Sequence, residues 1–359
     1  EKATYDLTVP VRSPNPPDRR AETKAVPKGQ KFEKSFSPFG LEGTSAVSVE
    51  IFTLPSVNLS KRLRYLTAFP HGCSEQITSA AFPQVYLPDL LGSGLDNPGV
   101  VRNNVQEALR SLSTRQMASG AVTLWPGGTY PDDWVTSYVG HFVIEAQKAG
   151  YAIPAGFIQK WTSYQRKQAS AWRYQPQYRY TANDQAYRIF TLALAGSPDK
   201  GAMNRMREIT DLPALAKWFL AAAYATTGRT EVAQTLIDVR NLKTEDDYVY
   251  YYYGSGLRDQ SIILYTLTQM GNTGEALALL KEVAAAMSRD SWYSTHTTAW
   301  GLFAYMNYAK KMKNDASKAL KATLEFNGNR EKLSTDPGAI MKNFIPAAIP
   351  ISVFLSVCN

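Results

Sequence analysis

Phe69-Pro70-His71-Gly72-Cys73-Ser74-Glu75-Gln76-Ile77-Thr78-Ser79 is the stretch from which the rest of the chain is read. Residues i and i+3 on a helical turn have Cβ atoms about 5–6 Å apart. Cys73 and the longer Gln76 can therefore meet without distorting the backbone. The Cys73 sulfur can displace ammonia from the Gln76 carboxamide and leave an internal thioester. Gly72 permits a tight approach to the helix, and Pro70 stiffens the approach and disfavours helix just before it. A cysteine in the first turn lies where the helix dipole favours the thiolate, the nucleophilic form. Glu75 faces away from both ring partners and is expected to cap backbone N–H groups or to orient the ring. A thioester survives only where water is excluded, and Phe69, Pro70, Phe82, Tyr86 and Leu87 supply apolar bulk nearby in sequence. The pair alone leaves a second reading open, since a buried free cysteine beside an ordinary helical glutamine is common.

The chain-level figures narrow the classes. At 359 residues the chain exceeds one simple core, so two or three domains are expected. Its 44% hydrophobic and 19% charged residues describe a globular protein. No apolar run approaches the roughly 20 residues of a membrane span, and no signal peptide is visible. Glu1 opens directly on a strand-like stretch, and the chain stops after the largely apolar run from Phe344 to Val357. Both ends read as cuts in a longer protein. The net charge of +8 is dispersed and accompanies no nucleic-acid-binding motif. Arg19 to Lys24 reads as a solvated loop. Of the two cysteines, Cys358 has no clear role and a free thiol is its default. The three histidines are far apart and form no Cys/His cluster, which argues against a zinc site, and an internal thioester itself needs neither a metal nor an organic cofactor.

Texture divides the chain into 1–56, 57–312 and 313–359. The first part is β: Thr4–Val11 and Ala46–Phe52 alternate polar and apolar residues around a Pro14–Pro17 turn. Helical periodicity then dominates, over Leu59–Ala68, from Cys73 to Leu91, and over Asn97–Thr114, Trp134–Lys148, Pro154–Trp172, Thr181–Ala195, Leu212–Thr227, Thr230–Asn241, Leu257–Met270, Thr273–Ser288 and Thr295–Lys311. Gly150, Gly196, Gly228 and Gly271 act as stops. Several segments are rich in Ala and Leu, as between Ala214 and Ala225, and need neighbours on two sides. Stacked helical hairpins follow, whether as an open solenoid or a closed ring. Ala319–Phe326, a Phe326–Asn329 hairpin turn and Ile349–Leu355 return to β.

With its flanks, the string Pro70-x-Gly72-Cys73-x-Glu75-Gln76-x-x-Ser79, then Phe82-Pro83, resembles the thioester signature of the α2-macroglobulin and complement family. Leu54-Pro55 with Leu59 and Arg62-Leu63, Gly120–Trp125 with Trp134–Val139, Arg258-Asp259-Gln260, and Ser294–Trp300 extend the resemblance over most of the chain, toward the family's bacterial branch. It implies a mainly α fold, an α/α toroid of helical hairpins inserted into a small CUB-like β domain built from the N- and C-terminal segments. It implies a thioester of Cys73 and Gln76 supported by Gly72, Glu75, Phe69 and His71. It implies a broad-range protease inhibitor rather than an enzyme. There a protease cuts a bait elsewhere, the domains rearrange, and the thioester acylates the protease's lysines. The implied partners are target proteases and other domains of the same longer protein. The implied location is the periplasm or cell envelope, and the branch allows a lipid anchor outside this stretch.

There are departures. Ser74 replaces the family's usual Gly or Leu, at a position outside the ring. His71 stands where an aromatic is common, and packing is its expected role. His296 stands where a Gln is usual and is expected to be a satisfied polar group inside the helical ring. Complement-type members pass the acyl group to a histidine in the loop corresponding to Trp125–Asp133, where Tyr130, Asp132 and Asp133 stand here without one. The resemblance therefore implies direct attack by amines.

Other constellations offer weaker readings. An α/α-toroid glycan-active enzyme would use Asp132 or Asp133 as acid and base, but a helix N-cap before Trp134 accounts for Asp133 better. Tyr248–Tyr253, Tyr174, Tyr178 and Tyr180 read as packing surfaces. Asn58-Leu59-Ser60 reads as a helix cap rather than a glycosylation site.

Overall fold

The computed structural model describes Arg20, Glu22, residues 24–27, 29–37, 44–45, 47–68 and 72–92, Leu95, and residues 97–242, 254–312, 320–326, 329–335, 339–344 and 351–357. The strand expected over Thr4–Val11, the Pro14–Pro17 turn, Phe69, Pro70, His71, the tyrosine run 248–253 and Cys358 lie outside the described residues.

The helices are α1 (Leu59–Thr67), α2 (Ser74–Ala81), α3 (Leu87–Leu91), α4 (Pro98–Ser113), α5 (Asp133–Lys148), α6 (Phe157–Ala171), α7 (Thr181–Leu194), α8 (Lys200–Arg207), α9 (Ala214–Thr226), α10 (Thr230–Leu236), α11 (Gly256–Met270), α12 (Thr273–Ser288) and α13 (Thr295–Met312). Their contacts close a ring. α2 packs on α5, α5 on α7, α7 on α9, α9 on α11, α11 on α13, and α13 returns to α2. The others lie outside it: α1 against α2 and α13, α3 against α13, α4 against α2 and α5, α6 against α5 and α7, α8 against α7 and α9, α10 against α9, and α12 against α11 and α13. This is an α/α toroid.

Composition explains which helices go inside. Inner helices are enclosed on both faces, and in α9 the residues Ala216 and Leu220 to Ala223 have no exposed surface. Alanine lets neighbours approach from both sides. Outer helices keep one apolar stripe, as α4 does with Val101, Val105, Ala108, Leu109 and Leu112. Each such Val or Leu contributes about 1.5–3 kcal/mol by leaving water. Aromatic rings fill the interior. Tyr187 stacks on Phe219 at 4.6 Å, Tyr265 on Phe303 at 5.0 Å, and Phe82 meets Phe303 at 4.5 Å. Among the described residues, no helix is long and apolar enough to cross a membrane.

Two helical expectations are corrected. The segment running to Leu91 is not one helix. It breaks at Phe82, and a 3-10 turn over Pro83–Tyr86 precedes α3, because Pro83 and Pro88 lack the N–H groups that a continuous ladder needs. Helix α8 was not expected, since Gly201 and its eight-residue length weaken its periodic signal.

Strands β1 (Lys31–Phe36), β2 (Val47–Phe52), β3 (Leu320–Phe326), β4 (Asn329–Thr335), β5 (Ala339–Phe344) and β6 (Ile351–Val357) form two sheets, ordered β1-β6-β3-β4 and β2-β5. β1 runs antiparallel to β6 with Lys31 opposite Ser356, so the two ends of the chain share a sheet. Two compact units result. One comprises residues Glu1–Val47, Ala322–Leu333 and Phe344–Asn359, and the other Ser48–Lys321 and Ser334–Asn343. Asn58 corrects another expectation. It takes the α1 cap position in a left-handed conformation, φ 51°, without a side-chain cap bond. Glu50 of β2 caps α1 instead, accepting from the Leu59 and Ser60 N–H groups at 2.9 and 2.6 Å.

α5 and α6 meet at a glycine. Trp161 donates its indole N–H to the Thr136 carbonyl at 2.8 Å, and a Cβ on Gly140 would fall 2.1 Å from the Trp161 ring. Gly140→Ala is therefore expected to cost about 1–3 kcal/mol by overpacking. Chemical denaturation would read this as a lower midpoint; an unchanged midpoint would mean that the contact is not tight.

Candidate functional site

Cys73 is the extended residue that caps α2, with φ −70° and ψ 163°. Gln76 folds back over it. Its Oε1 accepts the Cys73 backbone N–H at 3.3 Å, while the Cys73 sulfur faces the Gln76 backbone N–H, so the two form a reciprocal capping box. Cys73 is a free cysteine, 5% exposed, and Gln76 is half-buried. The two residues singled out by spacing are thus brought onto each other within one turn. Gly72 is exposed, with a backbone that other residues adopt and nothing within 4 Å of an added Cβ. Its expected steric freedom is not used here. Phe82, Tyr86 and Leu87 are buried, Phe82 against Tyr138, His141, Phe142 and Phe303 inside the ring.

The start of α2 is anchored to the segment after α4. The Ser74 N–H donates to the Leu124 carbonyl at 2.8 Å, and its hydroxyl to the Thr123 carbonyl at 2.6 Å. Thr123 is held in turn, its N–H donating to the Arg115 carbonyl at 3.2 Å and its hydroxyl to the Trp125 carbonyl at 2.8 Å. Beyond, the loop is open: Tyr130 is 84% exposed.

Glu75 corrects the cap expectation. Its carboxylate turns into the ring, accepting the Ser79 hydroxyl at 2.6 Å and the Thr295 hydroxyl of α13 at 3.0 Å. Ser79 also meets the Tyr138 hydroxyl of α5 at 3.1 Å. Glu75 thereby ties three inner helices. Burial pushes its carboxyl above the usual range, against the lowering effect of the Ser79 and Thr295 hydrogen bonds. Burial likewise pushes the Cys73 thiol up, which overturns the expectation of a dipole-favoured thiolate: desolvation of the sulfur outweighs the hydrogen bond to Gln76 and the attraction of Arg115.

The acidic pair has structural employment. The α5 cap is Asp132, not Asp133 as expected: Asp132 Oδ1 accepts the Val135 N–H at 2.8 Å. Asp133, the first residue of the helix, pairs with the buried Arg188 of α7 at 2.9 Å. Arg188 also donates to Gln165 at 3.0 Å and to Gln185 at 2.8 Å.

His296 is fully buried, and its Nε2 accepts the indole N–H groups of Trp134 and Trp300, each at 3.2 Å. It is a satisfied polar group inside the ring. His141 sits nearby, its Nδ1 3.1 Å from the Tyr187 hydroxyl, and burial holds its basicity well below the ordinary value. Among the described residues, no group of three or more His, Cys, Asp or Glu could hold a metal ion. Sequence reading missed Arg115 and Thr295 as neighbours of the Cys73 turn. Their positions, 42 and 222 residues beyond Cys73, carry no local signal.

No protein-family model matches the chain. An Escherichia coli (strain K12) protein, alpha-2-macroglobulin, is 26% identical over 295 residues, covering 76% of this chain and 17% of that protein. The curated homologues are bacterial α2-macroglobulins. Native E. coli alpha-2-macroglobulin, spanning domain MG7 to the C-terminus, superposes with TM-score 0.66 at 20% identity, over 91% of this chain and 56% of that one. Salmonella alpha-2-macroglobulin reacted with methylamine gives TM-score 0.66 at 21% identity, over 91% of this chain and 23% of that one. The fold is that of the α2-macroglobulin C-terminal region, and the chain spans 17% of the length of the E. coli α2-macroglobulin it matches.

Two outcomes test the geometry. Asp132→Ala should destabilise the chain by about 1 kcal/mol while Asp132→Asn, which still caps, should not; equal melting of all three would remove the cap role. Glu75 holds its proton more tightly folded than unfolded, where its value is about 4.3. Its contribution is therefore complete below that value and is lost as pH rises through the raised folded value. Glu75→Gln should flatten the fall in denaturation midpoint above about pH 4; an unchanged slope would contradict the burial account.

Proposed function

We propose that Cys73 and Gln76 form an internal thioester and that this chain is the covalent-capture part of a bacterial α2-macroglobulin-like, broad-range protease inhibitor. The observation that carries this is the Gln76 carboxamide folded back over buried Cys73. In formation, the Cys73 sulfur bonds to Gln76 Cδ and ammonia leaves. In capture, the amine of a protease lysine attacks Cδ, a C–N bond forms, and the C–S bond breaks with its electron pair on sulfur. The amine's proton passes to water. The protein acts once and is not an enzyme.

Supporting context comes from the α2-macroglobulin relatives, a family of protease inhibitors, and from the Salmonella structure obtained after reaction with methylamine. The loop over Trp125–Asp133 contains no histidine, its Asp132 caps α5 and its Asp133 pairs with Arg188. This favours direct attack by amines over transfer to hydroxyls. The same employment weighs against a glycan-active enzyme built on those carboxylates. The longer protein would supply the bait, the remaining water exclusion and any lipid anchor, and would act in the periplasm or cell envelope.

Intact mass tests the proposal. The full-length protein is expected to be one ammonia lighter than its sequence, to take up one methylamine, and to release one thiol. Cys73→Ala should abolish all three and leave the helical spectrum unchanged. Glycerol should add slowly or not at all. A sequence mass that methylamine does not alter would sink the thioester; efficient esterification by glycerol would overturn the amine preference.

A further inference from the structure

The residue with the least explained position near Cys73 is Arg115. It lies just after α4, is 7% exposed, and its Nε has no hydrogen-bond partner. Its Nη1 donates to the Ser74 hydroxyl at 3.4 Å, beside Cys73. The buried Arg188 and Arg258 are paired with Asp133 and Asp259, and the buried Arg62 donates to the Met287, Ser291 and Arg289 carbonyls. Among the described residues no carboxylate pairs with Arg115, and the ionisable side chain whose charge would bear on it is Cys73, a thiol that burial holds in its neutral form. A buried guanidinium without an anion is costly, because desolvation is not repaid by a partner. Such a position makes sense where the anion is formed by the reaction.

Building on the thioester proposed above, we propose that Arg115 is the standing counter-ion for the Cys73 sulfur, a positioning residue that receives negative charge when the acyl group leaves. As an amine adds to Gln76 Cδ and the C–S bond breaks, the electron pair remains on sulfur as thiolate, and Arg115 stabilises it at a site where little water can. Fixed charge aimed where charge develops lowers a barrier without reorganisation. The groups around the sulfur oppose and support this. Burial raises the thiol most and Glu75 adds to it, while the backbone N–H groups of Gln76 and Glu75, and then Arg115, lower it. On the packed neighbours α1 and α5, burial raises the Tyr65 and Tyr138 hydroxyls further above neutrality, so neither supplies a charge. Arg115 is thus a buried cation set against the Cys73–Ser74 turn that carries the leaving sulfur.

Two readouts separate this from the thioester itself. In Gln76→Ala protein no ring can form, and Cys73 keeps its thiol. With 13C-labelled cysteine, its titration is followed by NMR in that background with Arg115, Arg115→Met and Arg115→Lys. Methionine fills the space without charge and lysine keeps charge without the fork. The midpoint should move up in Met, so that at neutral pH the thiolate fraction falls by about tenfold, and should return most of the way in Lys. In the Gln76 protein, Arg115→Met should slow methylamine uptake by a similar factor, with Lys between. An unchanged Cys73 midpoint in Met overturns the proposal, whether or not a thioester is found. A sequence mass for the parent protein, with the Met shift intact, would sink the thioester and leave the Arg115–Cys73 coupling standing. Met and Lys variants that shift the midpoint equally would make Arg115 a packing residue and overturn the charge role.

Discussion

The return of α13 onto α2 is the constraint on which the site depends. It closes the ring of inner helices, and at the seam the Thr295 hydroxyl reaches the Glu75 carboxylate, 220 residues away in sequence. Glu75 sits between Cys73 and Gln76 in the turn, so fixing its side chain inward fixes the rotation of α2 about its own axis. Cys73 and Gln76 are then left on the side where they meet each other. The Ser74 bonds to Thr123 and Leu124 hold the same turn from the opposite side. The capping box is therefore clamped from two distant parts of the chain rather than made by local preference alone.

Burial dominates the electrostatics throughout this region. It raises the Cys73 thiol, the Glu75 carboxyl and the Tyr138 hydroxyl, and depresses His141. The backbone N–H groups of Gln76 and Glu75 at the start of α2 act in the opposite sense on the sulfur and are outweighed by its burial. A raised thiol is a poorer leaving group. A capture device in so dry a site needs a compensating positive charge close to sulfur, and Arg115 is placed to supply it. The same dryness protects an acyl group from water before it is needed.

Much of this was legible in the sequence because it is local. The Cys73–Gln76 pair is a spacing, the helices are a periodicity, and the Gly stops are backbone chemistry. The break of the second helix is also written there, in Pro83 and Pro88, beneath an apolar periodicity that continues across both. What was not legible is what the ring brings together. Closure depends on which helices touch, and Ala-rich segments read alike in a solenoid and a toroid. Glu75 was expected to cap backbone N–H groups or to orient the ring; the Ser79 hydroxyl one turn on and the Thr295 hydroxyl on the last helix together turn it inward, and the second of these carries no local signal. The cap of α5 fell one residue early, on Asp132, since adjacent aspartates compete and the partner of Asp133 is Arg188 on another helix. Arg115 carries no motif, and its meaning comes from Ser74 and the sulfur beside it.

The central claim is that Cys73 and Gln76 are held for bond formation rather than merely adjacent. An atomic-resolution structure of the full-length, untreated protein tests it most directly. The account predicts continuous density from Cys73 Sγ to Gln76 Cδ, with the side-chain nitrogen gone and Glu75 still bonded to Thr295. A separate thiol beside an intact carboxamide, in that same closed ring, would contradict it.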